Sequence, residues 1–133
     1  MVVVDTNVLA YLLIEGDRTA AAQALYARDA DWRSESFLLV EFSNMLATYV
    51  RNGRLDAEAA TALLAAADRT LTGTVSLPHP RALEVALELG VSAYDARFLA
   101  VARGLGVKLV TEDAKLRAAA PALTQSLTDA IAA

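Results

Sequence analysis

Short apolar runs alternate with helical stretches along the whole chain. That pattern defines an α/β protein with a parallel sheet covered by helices on both faces. Two further observations support it. The intervening helical stretches are long enough to serve as crossovers between parallel strands. The length of 133 residues suits one hydrophobic core, so residues 1–133 are expected to form a single domain.

The elements follow in order. Val2-Val3-Val4 is a β-branched run closed at once by Asp5-Thr6-Asn7, a buried strand running into a helix over residues 6–14. Glu15-Gly16-Asp17 breaks that helix, and a second spans 19–27. Residues 30–34 are a short candidate strand. Residues 37–50 form a strongly apolar helix stopped by Asn52-Gly53. Asp56 caps an Ala-rich helix reaching about Thr70, with Gly73 as its break and a strand at 74–77 closed by Pro78. A helix over 81–89 ends at Gly90, and Ser92 opens another that runs to Arg103 before Gly104 and Gly106. A strand at 107–110 and a short helix at 112–119 complete the pattern; the tail after Pro121 carries little signal.

Composition narrows the chemistry. There is no cysteine, which excludes disulfides, thiolate zinc sites and a cysteine nucleophile. His79 is the single histidine and lies between Pro78 and Pro80, so multi-histidine metal sites are excluded too. Twelve Lys and Arg stand against 16 Asp and Glu, a formal charge of −4, which does not suit a basic nucleic-acid wrapper. Although 56% of residues are hydrophobic, no run of about 18 apolar residues occurs, so no membrane span is expected. The N-terminus lacks a signal-peptide pattern, so a cytoplasmic location is expected. Carboxylates and hydroxyls are the groups left in quantity.

In parallel sheets, ligands bind at the carboxyl ends of the strands. Asp5 directly follows the first strand, and Asp113 follows the strand at 107–110 in Thr111-Glu112-Asp113. Asp95 falls in the first turn of its helix, in Ser92-Ala93-Tyr94-Asp95. Each also has a plainer role: Asp5 as an N-cap, Ser92 and Asp95 as a capping box, Thr111 and Asp113 as caps of the last helix. Glu41 is harder to explain that way. Its helical neighbours Phe37, Leu38 and Met45 form an apolar row in which an unpaired carboxylate is costly, with Asn44 at i+3 as its nearest polar support. No arginine or lysine is an evident buried partner. A hard divalent cation, Mg²⁺ or Mn²⁺, fits a set of oxygen ligands.

These residues carry a resemblance. The chain resembles the PIN-domain nucleases, and within them the VapC-type toxins of toxin–antitoxin pairs. The resemblance rests on Val2-Val3-Val4-Asp5-Thr6-Asn7, on Val40-Glu41-Phe42-Ser43-Asn44, and on the block over residues 91–116. It implies a three-layer α/β/α fold with a central parallel sheet of four to five short strands, and a Mg²⁺- or Mn²⁺-dependent endoribonuclease acting through metal-activated water. It assigns catalysis and metal binding to Asp5, Glu41, Asp95 and Asp113, with Thr6, Asn7, Asn44 and Thr111 supporting them. It further implies a VapB-like antitoxin, a homodimer, and a single-stranded or structured RNA substrate; the compact chain favours a stand-alone toxin. Ten of the 12 basic residues are arginine, and Arg18, Arg51, Arg54, Arg97 and Arg117 are candidates for phosphate contact. A housekeeping RNA-processing nuclease and a non-catalytic PIN-like binding module are the alternatives. A haloacid-dehalogenase-type phosphatase would need a second Asp where Asn7 stands, and a receiver domain would need a lysine after a late strand, whereas Lys108 lies near the start of one.

Overall fold

The computed structural model describes residues 1–133. In chain order the elements are β1 (Val2–Val4), α1 (Thr6–Leu13), α2 (Thr19–Arg28), β2 (Trp32–Glu35), α3 (Phe37–Arg51), α4 (Ala57–Thr70), β3 (Leu71–Val75), α5 (His79–Leu89), α6 (Ala93–Leu105), β4 (Leu109–Val110), α7 (Ala114–Ala119), β5 (Thr124–Gln125) and α8 (Leu127–Ala132). The five strands form one sheet in the order β3-β2-β1-β4-β5, and every pairing is parallel. The α/β/α expectation holds, with five strands rather than the four that can be picked out along the chain.

β1 is central because its three valines are the most continuously apolar strand and bury on both faces, with Val3 and Val4 fully covered. α6 lies across β1, β2 and β4, with α5 beside it. The remaining long helices pack on one another, α1 against α2, α3 and α4, and α2 against α8. The main core of 23 buried residues joins both groups through the sheet, from Leu9, Phe42 and Leu46 to Phe98 and Leu99. Within it the Trp32 indole N–H is the one buried side-chain donor without a partner; the ring meets Tyr26 edge-on at 5.4 Å.

Several boundaries differ from expectation for identifiable reasons. β2 starts at Trp32 and runs on through Glu35, beyond the expected 30–34, because the Trp32 side chain is wholly buried and Glu35 is drawn in by its own partners. Gly73 does not break the chain before a strand; it lies inside β3. Trp32 pairs with Leu71 and Arg33 with Gly73, so Thr72 is skipped as a bulge on this edge strand, a position where glycine costs little. α5 starts at His79 rather than 81, since Pro80 fits the first turn of a helix. β4 is confined to Leu109–Val110, and α7 begins only after its cap, Asp113. The tail forms β5 and α8. Thr124 and Gln125 are too short a run to read as a strand; they are held by pairing to Leu109 and Val110.

Candidate functional site

β1 and β4 are neighbours in the sheet, while the chain leaves β1 toward β2 on the other side. The topological switch point therefore lies between the carboxyl ends of β1 and β4, where ligands of open parallel sheets bind. An open cleft of about 520 Å³ is found there, lined by Asp5, Glu41, Asp95 and Asp113 together with Thr6, Asn7 and Asn44. All four acids named from the sequence line one cavity.

Each acid is placed by local structure. Asp5 is the N-cap of α1, its Oδ1 accepting from Val8 N–H at 3.1 Å. Asp113 caps α7, its Oδ1 accepting from Lys115 N–H at 3.0 Å and Leu116 N–H at 3.1 Å. The capping role and the cleft position are thus compatible, because a cap engages one oxygen and leaves the other free. Asp95 stands in the first turn of α6, whose cap is the Ser92 hydroxyl, accepting from Asp95 N–H at 3.0 Å. There the positive end of the helix dipole favours a carboxylate. Glu41 projects from the second turn of α3, and its Oε1 accepts from the Thr6 hydroxyl at 2.7 Å. Thr6, not Asn44, supports Glu41; Asn44 is exposed in the cleft. The Thr111 hydroxyl accepts from Asp113 N–H at 3.1 Å and, on the Asp5 side, helps to lower the Asp5 carboxyl.

The electrostatics are unbalanced. No arginine, lysine or N-terminus lies within 4 Å of any of the four acids; every ion pair in the protein lies elsewhere. Burial pushes the Asp5 carboxyl up to about 6, with the charges of Asp95 and Glu41 adding to it, against the pull of Thr111 and the Val8 amide. Burial also raises Asp95, and the charge of Asp113 adds to that.

Two features of this region were not legible in the sequence. Glu35 at the end of β2 is almost fully buried, and its carboxylate accepts from Phe37 N–H at 3.0 Å, Leu77 N–H at 3.2 Å and the Ser36 hydroxyl at 3.2 Å. Arg97 of α6 stands 3.6 Å from it, donates to the Leu77 carbonyl at 2.9 Å, and has a side chain only 14% exposed. Arg97 is therefore the partly buried cation the sequence did not reveal. It is committed to Glu35 and is not available as a phosphate contact. Of the other candidates, Arg18 and Arg117 both pair with Glu112, whereas Arg51 and Arg54 are exposed and form no ion pair. The second feature is an aromatic stack of Phe37 on Tyr94, ring centroids 5.3 Å apart and 8° from parallel, at the rim of the cleft.

The donor set is all oxygen, anionic and without a protein counter-charge, which fits a hard divalent ion. No three carboxylates close around one point as they stand. Mg²⁺ keeps several waters of its own and is commonly held by one or two carboxylates.

A parallel α/β sheet with a carboxylate-lined cleft at its switch point is the architecture in hand, and the comparisons agree with it. The family model of the PIN domain matches residues 2–121. The chain belongs to the PIN-domain family, whose members are generally nucleases. Two solved structures share the fold. PAE2754 from Pyrobaculum aerophilum is 25% identical, with 98% of this chain and 91% of that chain covered and a TM-score of 0.78. A toxin–antitoxin complex from Klebsiella pneumoniae contains a chain 22% identical, with 94% and 97% covered and a TM-score of 0.64. No curated protein matches the sequence. No helix is long and apolar enough to cross a membrane.

Proposed function

We propose that this single PIN domain is a Mg²⁺- or Mn²⁺-dependent endoribonuclease and the toxin of a VapBC-type toxin–antitoxin pair, acting on single-stranded or structured RNA in the cytoplasm. One observation carries the proposal: four carboxylates line one cleft and none has a cationic side chain within 4 Å. The charges of Asp95 and Glu41 raise the Asp5 carboxyl, and that of Asp113 raises Asp95, so the acids repel one another across the cleft. A set of four ionised acids therefore calls for a cation.

Asp5 and Asp95 are the main residues to hold the ion, with Glu41 and Asp113 joining directly or through water. When bound, Mg²⁺ or Mn²⁺ supplies Lewis-acid polarisation of the phosphodiester, activation of water and stabilisation of the leaving oxygen. The chain's own residues do the rest. Thr6 fixes Glu41 through Oε1 and leaves Oε2 to accept a proton from the attacking water. The Val8 amide and the two amides of α7 fix Asp5 and Asp113 by one oxygen each, which orients the other.

The antitoxin partner is supported by the likeness to a chain of the Klebsiella complex. It is also supported by a groove that leaves the cleft past Asn7 and Met45. The groove is lined by Tyr11, Arg18 and Tyr49, then by Arg54, Leu55 and Leu63, between α1, α3 and α4. An amphipathic helix of a partner, apolar toward Ile14, Leu55 and Leu63 and polar toward Glu15, Asp17 and Arg18, fits such a groove.

The test uses purified protein and total RNA with Mn²⁺ or with EDTA, for the natural chain and Asp95→Asn. Cleavage is expected only with metal, and the variant should lose at least tenfold, the lower bound for removing even an indirect metal contact. Equal cleavage by Asp95→Asn would overturn the assignment.

A further inference from the structure

The stack of Phe37 and Tyr94 is poorly explained as core. Tyr94 is 62% exposed, and Val40 beside it is 60% exposed. Phe37 covers one face of the Tyr94 ring, so the exposure belongs to the opposite face and the edge. Phe37, Val40 and Tyr94 also line two concavities at once: the acidic cleft, and a shallow depression with Ser36, Ser76 and His79. They form the ridge between the two. Tyr94 immediately precedes Asp95 at the start of α6, so ring and carboxylate diverge by roughly 100° around one rigid helical turn.

The far side of the ridge is polar. The Ser36 and Ser76 hydroxyls lie 2.9 Å apart. Arg97 donates to His79 Nδ1 at 2.7 Å, and because arginine can only donate, the proton of a neutral His79 ring sits on Nε2 as an outward donor. Hydroxyls and an N–H donor suit ribose and phosphate oxygens. The groove proposed for a partner helix leaves the cleft past Asn7 and Met45 and includes none of the ridge residues Phe37, Val40 and Tyr94.

We propose that the Phe37–Tyr94 pair is a stacking platform for an unpaired nucleobase. It would seat the nucleotide next to the scissile phosphate and carry the strand over the ridge toward Ser36, Ser76 and His79. This rests on the reading of the cleft as acting on RNA. Because a π-face is common to all bases, the platform accepts any base and favours the larger purines.

The test is equilibrium binding by fluorescence anisotropy of end-labelled single-stranded RNA decamers: all-adenine, all-uracil, and an abasic ribose-phosphate decamer. It is run in Ca²⁺ buffer with the decamers checked intact by gel, Ca²⁺ being a hard ion that carboxylates accept. The natural chain is compared with Tyr94→Ala, Tyr94→Leu and Tyr94→Phe. Tyr94→Ala and Tyr94→Leu should weaken adenine-decamer binding by about tenfold, the order expected for losing one aromatic–base stack, and Tyr94→Phe by less than about twofold. The abasic decamer should bind all four proteins alike. Unchanged adenine-decamer binding by Tyr94→Ala, with RNA cleavage retained, overturns the platform and leaves the nuclease reading standing. A loss by Tyr94→Ala that is equal on the abasic decamer also overturns it. So does loss of antitoxin binding by Tyr94→Ala with RNA binding intact, which would make the ridge a protein contact. If the natural chain neither binds nor cleaves RNA, the nuclease reading fails and the platform with it.

Discussion

The Thr6 hydroxyl donates to Glu41 Oε1 at 2.7 Å, joining the first turn of α1 to α3 across 35 residues of chain. Thr6 is buried and Glu41 is half-buried, so this bond sets the direction of the Glu41 carboxylate, which no helix cap holds. Thr6→Val keeps the shape and removes the bond. The cost in stability should be about 1 kcal/mol by urea denaturation, since Glu41 retains contact with water. The cost in RNA cleavage should be larger, about tenfold or more, as for other residues that orient a metal-site carboxylate. An unchanged cleavage rate would show that Glu41 needs no such support.

Arg97 and Glu35 act in stability, and Arg97 is not itself a phosphate contact. Arg97→Met leaves a buried carboxylate without its counter-charge, although two backbone amides and the Ser36 hydroxyl still serve it. The expected loss is about 3 kcal/mol, at the low end for breaking a buried pair. The paired change Arg97→Met with Glu35→Gln should recover part of it, and a double-mutant cycle in urea reads the coupling. A variant of unaltered stability whose RNA affinity has become less salt-sensitive would instead return Arg97 to the phosphate contacts.

Asp5 gives the fold a pH dependence of defined sign. Its folded carboxyl titrates near 6, against about 3.9 in an unfolded chain. The folded state then holds the extra proton between those values, so stability falls as pH rises from about 4 to 6. Without metal, the stability of the natural chain relative to Asp5→Asn should fall by about 3 kcal/mol between pH 4 and pH 7, an order-of-magnitude figure. Asparagine also caps helices, so the comparison isolates the charge. Urea denaturation in EDTA at several pH values measures it, and a relative stability that rises with pH contradicts it. Adding Mn²⁺ at pH 7 should then raise the melting midpoint of the natural chain more than that of Asp5→Asn.

The homodimer that the family resemblance implies needs an apolar face, and α5 supplies one in Leu83 and Leu87, 55% and 75% exposed one helical turn apart. Light scattering at micromolar concentration should give a dimer, and Leu83→Glu a monomer with unchanged helix content. A monomeric natural chain contradicts this.

The parts that were legible in the sequence depend on local signals. β1 ends where its valines meet Asp5, and α6 starts where Ser92 can cap it, so the acids beside them could be placed without coordinates. Glu41 was visible through its conflict with an apolar row. What escaped depends on partners distant in sequence. Beside its local partners, Glu35 is completed by Leu77 N–H, 42 residues away, and by Arg97, while Tyr94 meets Phe37 across 57 positions; neither long-range contact has a local signal. β5 exists only because β4 offers it an edge. Ser126 accepts from Asp129 N–H and caps α8, a local signal that the sequence reading of the tail missed.

The most direct measurement is 5′-end mapping of total RNA after the protein is induced alone in cells, beside Asp95→Asn. New ends at one or a few sites, absent with the variant, are the expected result and would identify the RNA target at the same time. The same ends with Asp95→Asn, or no new ends from a folded protein that also fails to cleave total RNA in Mn²⁺, would contradict a nuclease built on these four carboxylates.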